Sequence, residues 1–288
     1  MSMKMKGFAL LRTFAFVALV PVFLLGLVAC DPDADNGGDV DEEETLTDTP
    51  TENPTVPQTP STPSRTKMPA EFVVSTSEYT ETYVLSYDDK GRLTEVASMF
   101  KSDEDKDENI GDIQLVWGDG AVKVVESSGN YTTNYTVTFE GGIAQRTDVS
   151  TGSYRNHCVM TYDQSKRFVK GEEKDGYEVT AIWDGDKLMS ISEDGYDTTF
   201  IYGETCKKGY FPFFSMWMDI IECDILCMAH PELFGMKTTQ LPSSWTISSR
   251  GDDDIRTATY ELDKDGYLSK MDIEYEGGEV TTITLTWK

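Results

Sequence analysis

Histidine is almost absent from this chain: His157 and His230 are the only two in 288 residues. Acid-base chemistry would therefore fall to carboxylates. The sequence has no Gly-x-Ser-x-Gly, no His-Glu-x-x-His, no phosphate-cradling glycine loop and no reactive Cys with a partnered His, so the familiar hydrolase and nucleotide-binding signatures are missing. Cations are scarce too, with 25 Lys and Arg against 51 Asp and Glu, a net charge of −26. Such a balance argues against nucleic acid as a partner and against electrostatic capture by anionic lipid headgroups.

What the chain has instead is a repeated unit, cleanest at Tyr83-Val-Leu-Ser-Tyr-Asp-Asp-Lys-Gly-Arg-Leu-Thr-Glu-Val96. Tyr83, Leu85 and Tyr87 alternate with Val84, Ser86 and Asp88, the two-residue period of a strand with one buried face. Asp88 to Gly91 supply turn chemistry, because Asp caps its own backbone and Gly accepts positive φ. A second apolar run, Leu93 to Val96, returns and completes a β-hairpin. Looser copies start near residues 113, 135, 158, 179 and 258, and the aromatic closing the first strand recurs as Tyr87, Trp117, Phe139, Tyr162, Trp183 and Tyr202. One hairpin cannot bury its own apolar face, so the units must flank one another around one interior. The expected fold is all-β: an antiparallel meander of repeated hairpins curling toward a barrel, because closure removes unprotected edges.

The N-terminus carries Lys4, Lys6 and Arg12, then an apolar run from Phe14 to Ala29 that ends in Leu27-Val28-Ala29-Cys30. A basic start, an apolar core and small residues before a cut mark a secretory signal over residues 1–29. The ending resembles a bacterial lipobox, which implies that Cys30 is acylated, with palmitate-type chains, and becomes the mature first residue. An uncleaved membrane helix is the alternative, opposed by the polar chain that follows Cys30 at once. Two or three acyl chains would anchor the protein stably to a membrane. Residues 31–52 hold ten carboxylates and no Lys or Arg, and residues 45–69 are rich in Thr and Pro. Too little apolar surface is present to offset ordering entropy, so residues 30–70 read as a disordered tether. The acidic stretch also resembles the surface-export signal of lipoproteins in some Gram-negative gut anaerobes. A solvated spacer fits equally, leaving the periplasmic face of the outer membrane and the cell surface both open.

Residues 71–288 turn globular, with one interruption of the strand pattern at 211–231. There Phe214, Trp217, Met218, Ile221, Ile225 and Met228 share one helical face while Ser215, Asp219 and Glu222 face away, predicting an amphipathic helix over 213–230 that covers an end or face of the sheet. Pro212 suits its first turn and Pro231 ends it. A connector follows, with Phe234, Gly235, Lys237, Leu241, Pro242 and Ser243 in the pattern Phe-Gly-x-Lys-x-x-x-Leu-Pro-Ser. Lipobox, Asp-x-x-Gly hairpins, late helix and connector together resemble a family of predicted lipoproteins of unknown function from Gram-negative gut bacteria with a porin-like β-meander domain. The resemblance implies a barrel-like meander over about residues 80–288 and brings no activity. Membrane-spanning strands need roughly 9 to 11 residues with an apolar outer face. Here the second face carries Thr136, Thr138, Thr282, Thr284 and Thr286 and the strands read shorter, which predicts a water-soluble domain.

Several constellations would carry chemistry. Glu261, Asp263, Asp265 and Asp272 fall at positions 1, 3, 5 and 12 of a calcium loop with Gly266 at 6, although Lys-Asp-Gly is also the turn other hairpins use. His157, Cys158, Cys223, Cys227 and His230 would assemble a zinc site only if the fold gathers them, since no recognised spacing is present. Cys158 and Cys206 would pair with each other or with the helix cysteines, or stay buried thiols. Asp197-Thr198-Thr199 resembles an O-glycosylation acceptor and fits a strand edge as well. No catalytic residue and no cofactor is singled out. The reading that results is a non-enzymatic, lipid-anchored envelope protein, binding a glycan or another envelope protein through strand or mouth aromatics. The alternative is a carboxylate-dependent glycan hydrolase with an acid pair in the barrel mouth.

Overall fold

A computed structural model describes residues 67–102, 108–218, 223–249 and 251–288. The signal segment, Cys30 and the tether lie outside these residues. Sixteen strands follow one another in chain order. They are β1 (Pro69–Ser75), β2 (Tyr79–Tyr87), β3 (Leu93–Ser102), β4 (Glu108–Gly118), β5 (Ala121–Ser128), β6 (Tyr131–Glu140), β7 (Ile143–Thr151) and β8 (Tyr154–Tyr162). Then come β9 (Phe168–Glu173), β10 (Glu178–Asp184), β11 (Lys187–Glu193), β12 (Tyr196–Thr205), β13 (Gln240–Ser249), β14 (Asp252–Leu262), β15 (Leu268–Tyr275) and β16 (Val280–Trp287). Each pairs antiparallel with its neighbours in sequence, and β1 pairs with β16, so the meander closes into a barrel without crossovers. Closure spares every strand an open edge.

The repeated unit is a hairpin with a fixed defect. In five hairpins the returning strand carries one extra residue opposite the closing position, which is aromatic in four (Tyr87, Phe139, Tyr162, Trp183) and Leu262 in the fifth, as where Ser86 pairs with Glu95 but Tyr87 with Leu93. Such bulges bend the strand and re-aim side chains. The aromatics so placed form a girdle at one end of the barrel, and their polar atoms reach back to the preceding hairpin. Trp117 Nε1 donates to the Leu93 carbonyl (2.8 Å), Trp183 Nε1 to that of Phe168 (2.7 Å) and Trp287 Nε1 to that of Leu268 (2.6 Å). The Tyr162 hydroxyl donates to the Ala144 carbonyl (2.5 Å), Tyr202 to Leu188 (2.6 Å) and Tyr260 to Pro242. Tyr260 and Trp287 thus complete a ring of which the repeat pattern named only the first members.

Inside the girdle sits the long connection between β12 and β13. It holds a 3₁₀ turn (Phe214–Trp217), helix α1 (Asp224–Ala229) and a second 3₁₀ turn (Pro231–Phe234). The single helix expected over 213–230 is present, described over six residues with a 3₁₀ turn before it and another after it; Asp219, Ile221 and Glu222 lie outside the described residues. Ile225, Leu226, Cys227, Met228 and Ala229 are all buried, so α1 shows water almost no face. A helix enclosed by a barrel needs no polar stripe. Pro231 does end α1, and it also opens the next turn.

This plug reaches around the lumen. Phe213 meets Phe72 of β1 (5.9 Å between centroids), Trp217 meets Phe200 of β12 (5.0 Å) and Trp245 of β13 (5.2 Å), and Phe211 meets Tyr260 of β14 (6.4 Å). His230 lies edge-on to Tyr87 and Trp117, and Tyr210 to Trp287. Plug and inward strand faces form one hydrophobic cluster, against which Tyr87, Trp117, Tyr162, Trp183 and Tyr202 pack while Phe139 is fully inside it. The connector motif locks the plug to the wall. Gly235 stands at φ 65°, where a Cβ would lie 2.4 Å from the Lys166 carbonyl oxygen, and its own carbonyl accepts from Phe168 N–H (3.2 Å). The Thr238 hydroxyl donates to the Asp186 carbonyl (2.6 Å).

The barrel begins earlier than composition places it. Met68 exchanges two backbone hydrogen bonds with Lys288 (2.8 and 2.9 Å), so the chain enters at the girdle end.

Candidate functional site

With the girdle end stoppered, the opposite mouth is where inward side chains turn polar. Strand parity decides which they are, since every second residue faces the lumen. Six residues before Tyr87 this puts Glu81 inside, and six before Tyr260 it puts Asp254 there. Glu126 of β5 follows Val122 and Val124 on the buried face of that strand, and Glu173 and Glu193 end the inward faces of β9 and β11.

Phenols and one guanidinium hold these acids. The Tyr83 hydroxyl donates to Glu81 Oε2 (2.7 Å), Tyr135 to Glu126 Oε2 (2.9 Å) and Tyr177 to Glu193 Oε1. Asn156 Nδ2 donates to Glu173 Oε2. Arg256, 3% exposed, donates through Nε (2.9 Å) and Nη2 (2.5 Å) to Asp254 Oδ2 while its Cζ lies 4.8 Å above the Tyr275 ring. Thr281 Oγ1 meets the Tyr275 hydroxyl at 3.4 Å, and Tyr79 stacks on Phe100 at 5.7 Å. Burial pushes the Glu81 carboxyl above its ordinary value, an effect the Tyr83 hydrogen bond partly offsets. Burial and the neighbouring Glu81 raise the Tyr79 and Tyr83 phenols as well, so both are neutral donors at any physiological pH.

The residues singled out from sequence are distributed elsewhere. Asp263 and Asp265 meet on Lys67 Nζ (3.4 and 2.6 Å), while Glu261 and Asp272 meet on Lys270 Nζ (3.4 and 2.7 Å), two separate ion pairs. Asp263 Oδ1 also accepts from the N–H groups of Asp265 and Tyr267 (both 2.9 Å), as Asp88 and Asp163 do in their own turns. This is hairpin chemistry, with an ammonium already seated on it. His157 and Cys158 are adjacent on β8 and so face opposite sides of the wall, with Cys158 in the core. His230 Nε2 accepts from the Leu93 N–H (3.2 Å). Among the described residues no group of three or more His, Cys, Asp or Glu is close enough to hold a metal ion. Cys158, Cys206, Cys223 and Cys227 are buried free thiols, and burial pushes Cys206 up to about 12. Asp197, Thr198 and Thr199 lie within β12, where Thr198 is buried.

The mouth acids were missed in the sequence because an acid among many draws no notice. Glu81 and Asp254 stand at even spacing from the closing aromatic, but exposed Asp252 stands at even spacing from Tyr260 too, so spacing alone does not single them out.

Outside, the wall is polar. Asp112, Lys123, Asp148, Lys170 and Lys270 point outward from within their strands, and Arg155, Glu178 and Asp197 from the ends of theirs, among Thr and Ser. Exposed aliphatics such as Val116, Ile182 and Ile201 stand between them. Nine strands reach nine residues or more, so strand length does not separate this barrel from a membrane-spanning one as expected.

These features define a sixteen-strand, porin-like barrel with a filled base. A porin-like protein from Bacteroides uniformis ATCC 8492, known as a crystal structure, superposes with a TM-score of 0.63 at 18% identity, covering 81% of this chain and all of that one. A second porin-like protein, from Bacteroides vulgatus ATCC 8482, gives a TM-score of 0.54 at 13% identity over 76% of this chain and 98% of its own. At such identities the likeness shows the fold alone. No protein-family model matches the chain, and no curated protein does.

Proposed function

We propose that this is a lipid-anchored envelope protein that binds a ligand, a glycan or a partner protein, at the acid-lined end of its barrel without transforming it. The lipobox supports acylation of Cys30, and the acidic, Pro-rich segment behind it supports a tether. A polar outer wall supports a domain that stands in water on that anchor, because an outward Lys or Arg at the bilayer midplane costs about 2 to 4 kcal/mol. The observation that carries the binding reading is the contrast between the two ends. The base is sealed by a plug packed against the wall, while the mouth retains the half-buried Tyr79, Tyr177 and Tyr275 beside oriented carboxylates. Aromatic faces with fixed hydrogen-bonding groups are the usual composition of a saccharide or side-chain recognition surface.

A glycan array and an envelope-extract pull-down with the full-length chain test this reading. Binding that is lost in Tyr79→Ala and Tyr275→Ala, with the fold intact by circular dichroism, is the expected result. The raised Glu81 carboxyl is also what an acid catalyst needs. Turnover of a bound glycan that disappears in Glu81→Gln would replace binding by hydrolysis.

A further inference from the structure

Where the chain turns back at the acid-lined end, a tyrosine recurs. Tyr79 opens β2, Tyr131 β6, Tyr154 β8 and Tyr196 β12, and Tyr177 stands one residue before β10. Each is an even number of residues from the buried side chains of its own strand, as Tyr131 is from Tyr135 and Val137, so the row lies on the lumen side of the rim. Two of the five are more than half exposed, Tyr131 at 54% and Tyr154 at 53%. These two stand on neighbouring hairpins. Thr151 of β7 pairs with Thr133 on one side and with Tyr154 on the other, which puts the Cα atoms of the two tyrosines roughly 12 Å apart by strand spacing and rise. On the wall between them the Thr151 hydroxyl donates to that of Thr133 (2.8 Å).

This arc of the rim differs from the rest in charge. Residues 127–134 and 150–156 contain no Asp or Glu, in a chain that has 51. Arg155 is their one charge, and it donates to the Gly152 and Tyr154 carbonyls (2.7 and 2.6 Å) from the outer face. Other turns of the same end carry the exposed acids Asp175, Asp194, Asp252, Asp253 and Glu276. Tyrosine among Ser, Thr, Gly and Asn is a recognition composition, because the ring gives contact area at small entropic cost while short hydroxyls and amides donate and accept alike. A pyranose matches both, with C–H groups on its face and hydroxyls around its edge. A protein anchor would instead gather its aromatics into one desolvated centre. We propose that the neutral arc is a stacking platform for an uncharged oligosaccharide that spans Tyr131 and Tyr154, each ring taking the face of one sugar. The inference rests on this end being the binding end, and commits to a saccharide as what binds there.

Titration calorimetry of the full-length chain in a neutral detergent tests it, with cellohexaose, maltohexaose, mannohexaose and xylohexaose as probes, beside their monosaccharides and hexagalacturonate. The expected result is binding of at least one neutral hexasaccharide, with its monosaccharide weaker by roughly tenfold or more. That binding is unchanged in about 0.5 M salt, because no charge is there to be screened. Tyr131→Ala and Tyr154→Ala each weaken it by roughly tenfold with the fold intact by circular dichroism, while Tyr131→Phe, which keeps the ring, retains most of it. A monosaccharide that binds as well as its hexasaccharide overturns the span, and hexagalacturonate that binds as well as the neutral probes overturns the uncharged class. Saccharide binding that survives both alanine variants but is lost in Tyr79→Ala or Tyr275→Ala overturns the platform and keeps this end as the site. Binding that survives all four variants overturns both. No binding of any hexasaccharide overturns the inference, and a protein drawn from envelope extract and released by Tyr79→Ala would leave the binding reading standing without it.

Discussion

Glu81 is the fully buried carboxylate of the described barrel, and its energetics have a definite sign. Burial raises its folded-state titration above the ordinary 4.5, so the protonated form is the one the fold prefers. Stability from this group is therefore present below about pH 4.5 and is lost as pH rises through the folded value. Glu81→Gln, which keeps the shape and removes the charge, is expected to raise the urea midpoint at pH 7 and to leave it nearly unchanged at pH 4. A second residue-scale expectation concerns Gly235. Alanine there would adopt a left-handed conformation and press its Cβ on the Lys166 carbonyl, so Gly235→Ala should destabilise by about 2 kcal/mol or more, read from the same denaturation curves.

At the scale of elements, plug and girdle meet at Leu93. Its N–H goes to His230 of the plug and its carbonyl to Trp117 of the girdle. Nε2 of His230 accepts in this bond, and its Nδ1 lies 3.4 Å from Glu232 Oε1. His230→Leu keeps the bulk and orphans a buried N–H, for an expected loss of about 1 to 3 kcal/mol in the denaturation midpoint. Phe211→Ala in the plug core should cost roughly 3 to 5 kcal/mol and increase binding of a hydrophobic dye. The girdle was legible in the sequence because Tyr87, Trp117, Phe139, Tyr162, Trp183 and Tyr202 recur at hairpin intervals and close equivalent strands. The plug was legible only as an interruption. A helical-period argument assumes a solvent face, and Leu226, Cys227 and Ala229 have none once the wall encloses them. Calcium-loop spacing at Glu261 to Asp272 was equally blind to pairing across strands, which sends Asp263 to Lys67 and Asp272 to Lys270. Mouth acids such as Asp254 needed the strand register before their direction had meaning.

For the molecule as a whole, the polarity of the barrel is inverted relative to one that spans lipid. Apolar and aromatic side chains fill the inside with the help of a plug, and charged and hydroxyl side chains share the outside with aliphatics such as Val116, Ile182 and Ile201. The described chain begins at the stoppered end, where Met68 pairs with Lys288, and the acid-lined mouth is at the other. Replacing Cys30 by Ser should move the protein from the membrane fraction to the soluble fraction without altering its thermal transition. The inversion itself is tested most directly by preparing residues 67–288 without detergent and measuring their size by light scattering, in buffer and after mixing with liposomes. The account predicts a monodisperse monomer that stays out of the vesicles. A chain that needs detergent to remain dispersed, or that enters the bilayer and conducts ions across it, would contradict it.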